Sequence, residues 1–138
     1  LDINSELFYK ARRTLVEKRL ETLDSNAWKT IIRRHYREKT GIANPFVHWY
    51  GLNDELLEHS LQKLPAIHLR LIFDNISRHP AIYRNGFPDL IQFTDNGYQL
   101  IEVKAPGDKL QPNQLRWLRL FSEHGIPASV LWVDWAAE

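Results

Sequence analysis

The sequence predicts an α/β protein in which helices precede and flank a small mixed sheet. Three observations carry this. Apolar residues recur at helical spacing through most of residues 5–77. Near Leu90 the pattern changes to two short apolar runs separated by Thr94-Asp95-Asn96-Gly97, a strong hairpin signal. A further helix and a closing apolar run then follow, the order of a strand–helix–strand crossover.

The elements follow in order. Residues 5–23 form an amphipathic helix, with Leu7, Phe8, Leu15, Val16, Leu20 and Leu23 on its apolar stripe and Ser5 as N-cap. A second helix spans about 27–39, where Trp28, Ile31, Ile32 and Tyr36 alternate with basic residues and Gly41 is the stop signal. Residues 42–52 are irregular and aromatic. Asn53 caps a third helix that ends before Pro65, and a fourth covers about 66–77 with Ile67, Leu71 and Ile76 as its apolar positions. Leu90–Phe93 and Tyr98–Lys104 are the hairpin strands, with Val103 pointing into the core. Pro112 suits the first turn of the next helix, Gly125 its end, and Ser129–Trp135 is the last strand. Trp117, Trp132 and Trp135 are read as core, as are Trp28, Trp49 and Tyr50, although an exposed aromatic could stack on an unpaired base.

Composition narrows the function. With 138 residues and no internal repeat, the chain predicts one domain able to bury its own core. The absence of cysteine excludes disulfides and thiolate zinc sites, and fits a reducing compartment. The six histidines have no metal-binding spacing and read as surface or satisfied core residues. No apolar run is long enough to span a bilayer, and no glycine-rich phosphate loop is present. There is no methionine and the first residue is Leu1, which predicts a piece of a longer or processed protein. Charge is uneven: residues 1–50 carry ten Lys/Arg against six Asp/Glu, and the remainder eight against eleven. The basic half could meet a polyanion while the acidic half holds cations, against the plainer reading of a solvated surface.

The hairpin brings charge together. With Asn96-Gly97 as the loop, Asp89 lies opposite Lys104; with a three-residue loop, it faces Val103. Glu102 and Lys104 share one face by strand alternation. Two carboxylates and an amine thus converge at one end of the sheet. Carboxylates crowded in this way suit a hard divalent cation such as Mg²⁺ or Mn²⁺, with the Val103 carbonyl as a further ligand. The chemistry such a set supports is phosphodiester hydrolysis, with Lys104 orienting water and offsetting charge. The alternative is a cross-strand Asp89–Lys104 salt bridge beside a solvated Glu102.

Gly86-Phe87-Pro88-Asp89, Glu102-Val103-Lys104, Gly107-Asp108-Lys109-Leu110 and Gln114-Leu115-Arg116-Trp117-Leu118 together strongly resemble the VRR-NUC domain, a branch of the PD-(D/E)xK nuclease superfamily. The match is closest to the flap-cleaving, Fanconi-associated branch and is strongest over residues 85–132. The resemblance implies a restriction-endonuclease-like core at 86–135, with a helical segment inserted at about 25–79. It implies Asp89 and Glu102 as metal ligands, Val103 as a carbonyl ligand, Lys104 as catalytic lysine and Gln114 as support. It also implies Glu17, on the first helix, as a third acidic ligand, against a surface Glu paired with Arg13.

Glu17 and Asp89 are 72 positions apart. In the flap-cleaving branch such an insertion is taken to block dimerisation. The implied function is therefore a monomeric Mg²⁺- or Mn²⁺-dependent nuclease acting on 5′-flap or branched DNA in repair. Other domains of the same protein would grip the DNA, and the location would be intracellular and DNA-associated. Two alternatives are a dimeric four-way-junction resolvase and a DNA-binding module inactive in isolation. The residues read as phosphate contacts are Arg12, Arg13, Lys29, Arg33, Arg34 and Arg37, with Lys109 and Arg116 near the motif turn.

Overall fold

Among the described residues the α-helices and strands run in the order α1 (Leu7–Glu21), α2 (Trp28–Lys39), α3 (Asp54–Lys63), α4 (Ala66–Arg78), α5 (Pro80–Tyr83), β1 (Leu90–Thr94), β2 (Gly97–Lys104), α6 (Pro112–Glu123) and β3 (Ala128–Trp132). They come from a computed structural model that describes residues 2–136. The chain divides into two compact units between Ala81 and Ile82.

The first unit is helical. Its α1 is entered through a 3₁₀ turn, Asp2–Asn4, and is not capped by Ser5, whose hydroxyl donates to Asp2 O at 2.8 Å. Asn53 does cap α3, accepting from Leu56 N at 2.8 Å. Leu20, Leu23, Leu61 and Ile72 are buried. Leu7, Leu15 and Ile67 are exposed, so the inward stripes are narrower than the apolar spacing suggests. Polar links join the helices. Arg33 grips Glu58 through two hydrogen bonds of 2.6 and 2.8 Å, tying α2 to α3. Arg70 of α4 donates to Leu20 O at 3.1 Å and pairs with Asp24.

The second unit is a three-stranded mixed sheet, ordered β1-β2-β3, with α6 joining its parallel pair. The hairpin has a different register from either predicted one. Thr94 pairs with Gly97, so the loop is Asp95-Asn96, and one step beyond Leu90↔Ile101 sets Asp89 against Glu102. Gly97 is already in the strand, which shortens the loop.

The buried face of β2 is also the reverse of the prediction. Tyr98, Leu100, Glu102 and Lys104 are buried, whereas Val103 is half-buried on the other face. The reason is α6. Gln114, Trp117 and Phe121 form its inward stripe, and Gln114 meets Glu102 and Lys104 directly. Trp117 and Phe121 are completely buried and stack at 5.3 Å, with Phe87 edge-on to both. The Trp117 indole donates to Tyr83 O and Asn85 O, each at 3.2 Å.

Trp132 and Trp135 are not core residues: they are 58% and 90% exposed. Trp132 closes β3, an edge strand, and Trp135 lies beyond it. Tyr50 is likewise fully exposed, and Trp28 and Trp49 are half-buried.

Candidate active site

The chain reaches Asp89 through a close approach. Gly86 has φ of +81°, and a Cβ there would stand 2.7 Å from Asn113 C and 2.8 Å from Gln114 N. Only glycine fits a left-handed backbone pressed so tightly on a helix. This contact and the Phe87–Trp117 packing fix the segment leading to Asp89 against the first turn of α6.

Asp89 Oδ2 then accepts from Val103 N at 2.9 Å, which holds the carboxylate beside the residue that follows Glu102. Glu102 and Lys104 project from β2 toward α6, with side chains only 3% and 8% exposed. Lys104 Nζ lies 3.1 Å from Glu102 Oε1. Removing two charges from water is costly unless the remaining polar atoms are satisfied. Gln114 does this with both ends of its amide. Its Nε2 donates to Glu102 Oε1 at 2.6 Å, and its Oε1 accepts from Lys104 Nζ at 2.9 Å. The same Oε1 accepts from Gln111 N at 2.9 Å, as half of the capping box of α6. One side chain therefore caps the helix and bridges the ion pair.

The turn after β2 is equally specific. Asp108 Oδ2 accepts from Ala105 N at 2.8 Å, Asp108 N donates to Ala105 O at 3.0 Å, and Gly107 supplies a φ of +87°. This delivers the chain from Lys104 to the start of α6 and leaves Lys109 exposed.

The donor set fits a hard divalent cation. Asp89 Oδ1 and Glu102 Oε2 accept no hydrogen bond from the described residues. Because none of the described buried side-chain oxygens goes unpartnered, Glu102 Oε2 lies where solvent reaches it. Each carboxylate thus uses one oxygen to hold its position and keeps the other free, as an oxygen-ligated cation requires. Among the described residues no group of three or more His, Cys, Asp and Glu side chains stands together as a cage.

Glu17 belongs to the helical unit, where it accepts from Arg13 Nε at 2.8 Å and from Tyr9 OH at 3.2 Å. The Arg13 hydrogen bond holds its carboxyl below the usual range. The predicted phosphate contacts are in two states. Arg12 is paired with Asp2, Arg13 with Glu17 and Arg33 with Glu58. Arg34 and Lys109 are exposed and have no ion pair among the described residues.

Comparison with protein families matches residues 24–135 to the VRR-NUC domain. The chain belongs to the VRR-NUC family. The match holds Asp89, Glu102, Lys104 and Gln114 and begins beyond Glu17. This VRR-NUC chain is 43% identical over 136 residues to a Fanconi-associated nuclease 1 homolog of Pseudomonas aeruginosa, covering 97% of this chain and 24% of the relative. It is 31% identical over 140 residues to a homolog from Caenorhabditis briggsae, covering 96% and 16%. Its fold matches the crystal structure of paFAN1 bound to 2-nt 5′-flap DNA with a gap, at a TM-score of 0.92 and 42% identity over 99% of this chain and 26% of that one. The chain spans about a quarter of the length of the Pseudomonas relative and of the paFAN1 chain.

Two features of the VRR-NUC site were not read from the sequence. One is the seat of Gly86 on Asn113 and Gln114, whose only signal was a glycine ahead of Pro88. The other is the double duty of Gln114 as cap and bridge, which the pair Gln111 and Gln114 at capping-box spacing could have revealed.

Proposed function

We propose that this chain is the nuclease domain of a divalent-metal-dependent enzyme that hydrolyses phosphodiester bonds in 5′-flap or other branched DNA during repair. The observation that carries the proposal is the buried Glu102–Lys104 pair, bridged by Gln114 and flanked by Asp89. Burying a charged pair costs free energy that apolar residues would avoid, which favours a functional role for it. The names of the relatives and the flapped DNA in the matching paFAN1 structure support the choice of substrate.

Asp89 and Glu102 would hold Mg²⁺ or Mn²⁺ through their free oxygens, with the Val103 carbonyl as a further ligand. When bound, such an ion polarises the phosphoryl group and lowers the pKa of water. The protein's own residues do the rest. Gln114 fixes the Glu102 carboxylate and steers the Lys104 ammonium, so neither must reorganise when substrate arrives. Lys104 orients the attacking water and offsets negative charge that develops on the phosphoryl oxygens. Arg12, Arg13, Arg33, Arg34 and Lys109 contact DNA phosphates, the first three by exchanging their carboxylate partners. The protein acts as a monomer at an intracellular, DNA-associated location, and its remaining domains grip the branched substrate. Residues 1–138 act as one nuclease domain with an inserted segment at about 25–79.

Incubation of end-labelled flapped and unbranched duplexes with Mg²⁺, Mn²⁺ or a chelator tests this. Cutting of the flapped duplex that needs the ion supports the proposal. Equal cutting in chelator, or none in any condition, contradicts it.

A further inference from the structure

The second unit carries a groove beside α6 that the catalytic residues do not use. Tyr83, Pro112, Arg116, Arg119, Leu120 and Glu123 line it, and it encloses about 460 Å³. Arg116 and Arg119 are exposed and lie three positions apart on one helix. Neighbouring like charges at this spacing destabilise a helix unless something neutralises them. No ion pair among the described residues does so. The arginines with carboxylate partners among the described residues, Arg12, Arg13, Arg33, Arg70 and Arg78, all belong to the helical unit. Among the described residues Arg84, Arg116 and Arg119 of the second unit have no ion pair, and Glu123, four positions after Arg119, forms none with it.

We infer that this groove binds the sugar–phosphate backbone of the DNA, with Arg116 and Arg119 each taking a phosphate. The inference rests on the nuclease reading above and adds a phosphate-binding face outside the site. Its geometry suits the task. Pro112 opens the groove at the same end of α6 as Gln114, on the helix face turned away from Glu102 and Lys104, so a strand lying in it passes outside the catalytic residues. The helix is about 18 Å long, the rise of about five nucleotides along one strand. A guanidinium suits a phosphate because its donors form a planar fork. Glu123, at the far end, opposes the same ligand and so provides a control of opposite sign.

The test is fluorescence anisotropy of the intact protein on flapped duplex, in chelator, as salt is raised. Loss of two phosphate contacts reduces the slope of log affinity against log salt by about 1.8. Between 50 and 200 mM salt the wild type should therefore lose about 12-fold more affinity than R116Q/R119Q. E123Q should bind more tightly than wild type, which damage to the fold cannot produce. Equal slopes for wild type and a folded double variant overturn the inference. If the double variant does not fold, E123Q decides, and unchanged or weaker binding overturns it. Wild type that binds with the predicted slopes but never cuts in divalent metal removes the nuclease reading and leaves the groove standing. Wild type that cuts, with equal slopes, removes the groove alone.

Discussion

Gln114 Nε2 donates to Glu102 Oε1 at 2.6 Å, joining the first turn of α6 to the buried end of β2. Gln114→Ala removes this bond and also leaves Lys104 Nζ and Gln111 N without their amide acceptor. Unfolding in urea should show a loss of about 1–3 kcal/mol, the cost of buried groups left unsatisfied. Cleavage should fall by about 10–100-fold, as when a group that orients a ligand is removed. Unchanged values of both would show that the bridge is incidental.

Lys104→Met leaves the Glu102 carboxylate buried without its cation. The expected cost is about 3–5 kcal/mol, measured by denaturant unfolding. The double variant Glu102→Gln/Lys104→Met removes both charges and should recover most of that loss while remaining inactive. A double variant as unstable as the single one would show that packing, not charge, is responsible.

Gly86→Ala tests the close approach. Its new Cβ meets backbone atoms of Asn113 and Gln114 at 2.7–2.8 Å, and the left-handed backbone adds strain. A loss of about 1–3 kcal/mol is expected, with a fall in cleavage because α6 must shift. Gly51→Ala is the contrast: a Cβ there meets nothing within 4 Å and has no such backbone penalty, so it should be near neutral.

Burial pushes the Tyr98 phenol up to about 12 from its ordinary 10.0. The folded chain keeps this proton while the unfolded chain releases it near pH 10. Stability from this residue is therefore complete at neutral pH and is lost as pH rises from about 10 toward 12. Spectrophotometric titration should show one late tyrosinate step that Tyr98→Phe removes. A titration curve that Tyr98→Phe leaves unchanged above pH 10 would contradict this.

The sequence showed the hairpin, the helix after it and the parallel return, because turn residues and apolar period are local signals. Asp89, Glu102 and Lys104 could be brought to one end of the sheet from loop length alone. The register and the buried face could not. Register depended on Gly97 entering the strand, and the face depended on α6, which covers the side bearing Glu102 and Lys104 and leaves Val103 outside. Trp132 looked like core by composition, but a residue at the end of an edge strand is buried only if something lies over it. The grip of Gln114 on both members of the ion pair is a long-range contact, and no periodicity encodes it.

The most direct measurement is the rate at which flapped DNA is cut by wild type, Asp89→Ala, Glu102→Ala and Lys104→Ala, at equal folded concentration with Mg²⁺ or Mn²⁺. Wild type should cut, and each variant should lose on the order of 100-fold or more. Undiminished cutting by all three variants would contradict this.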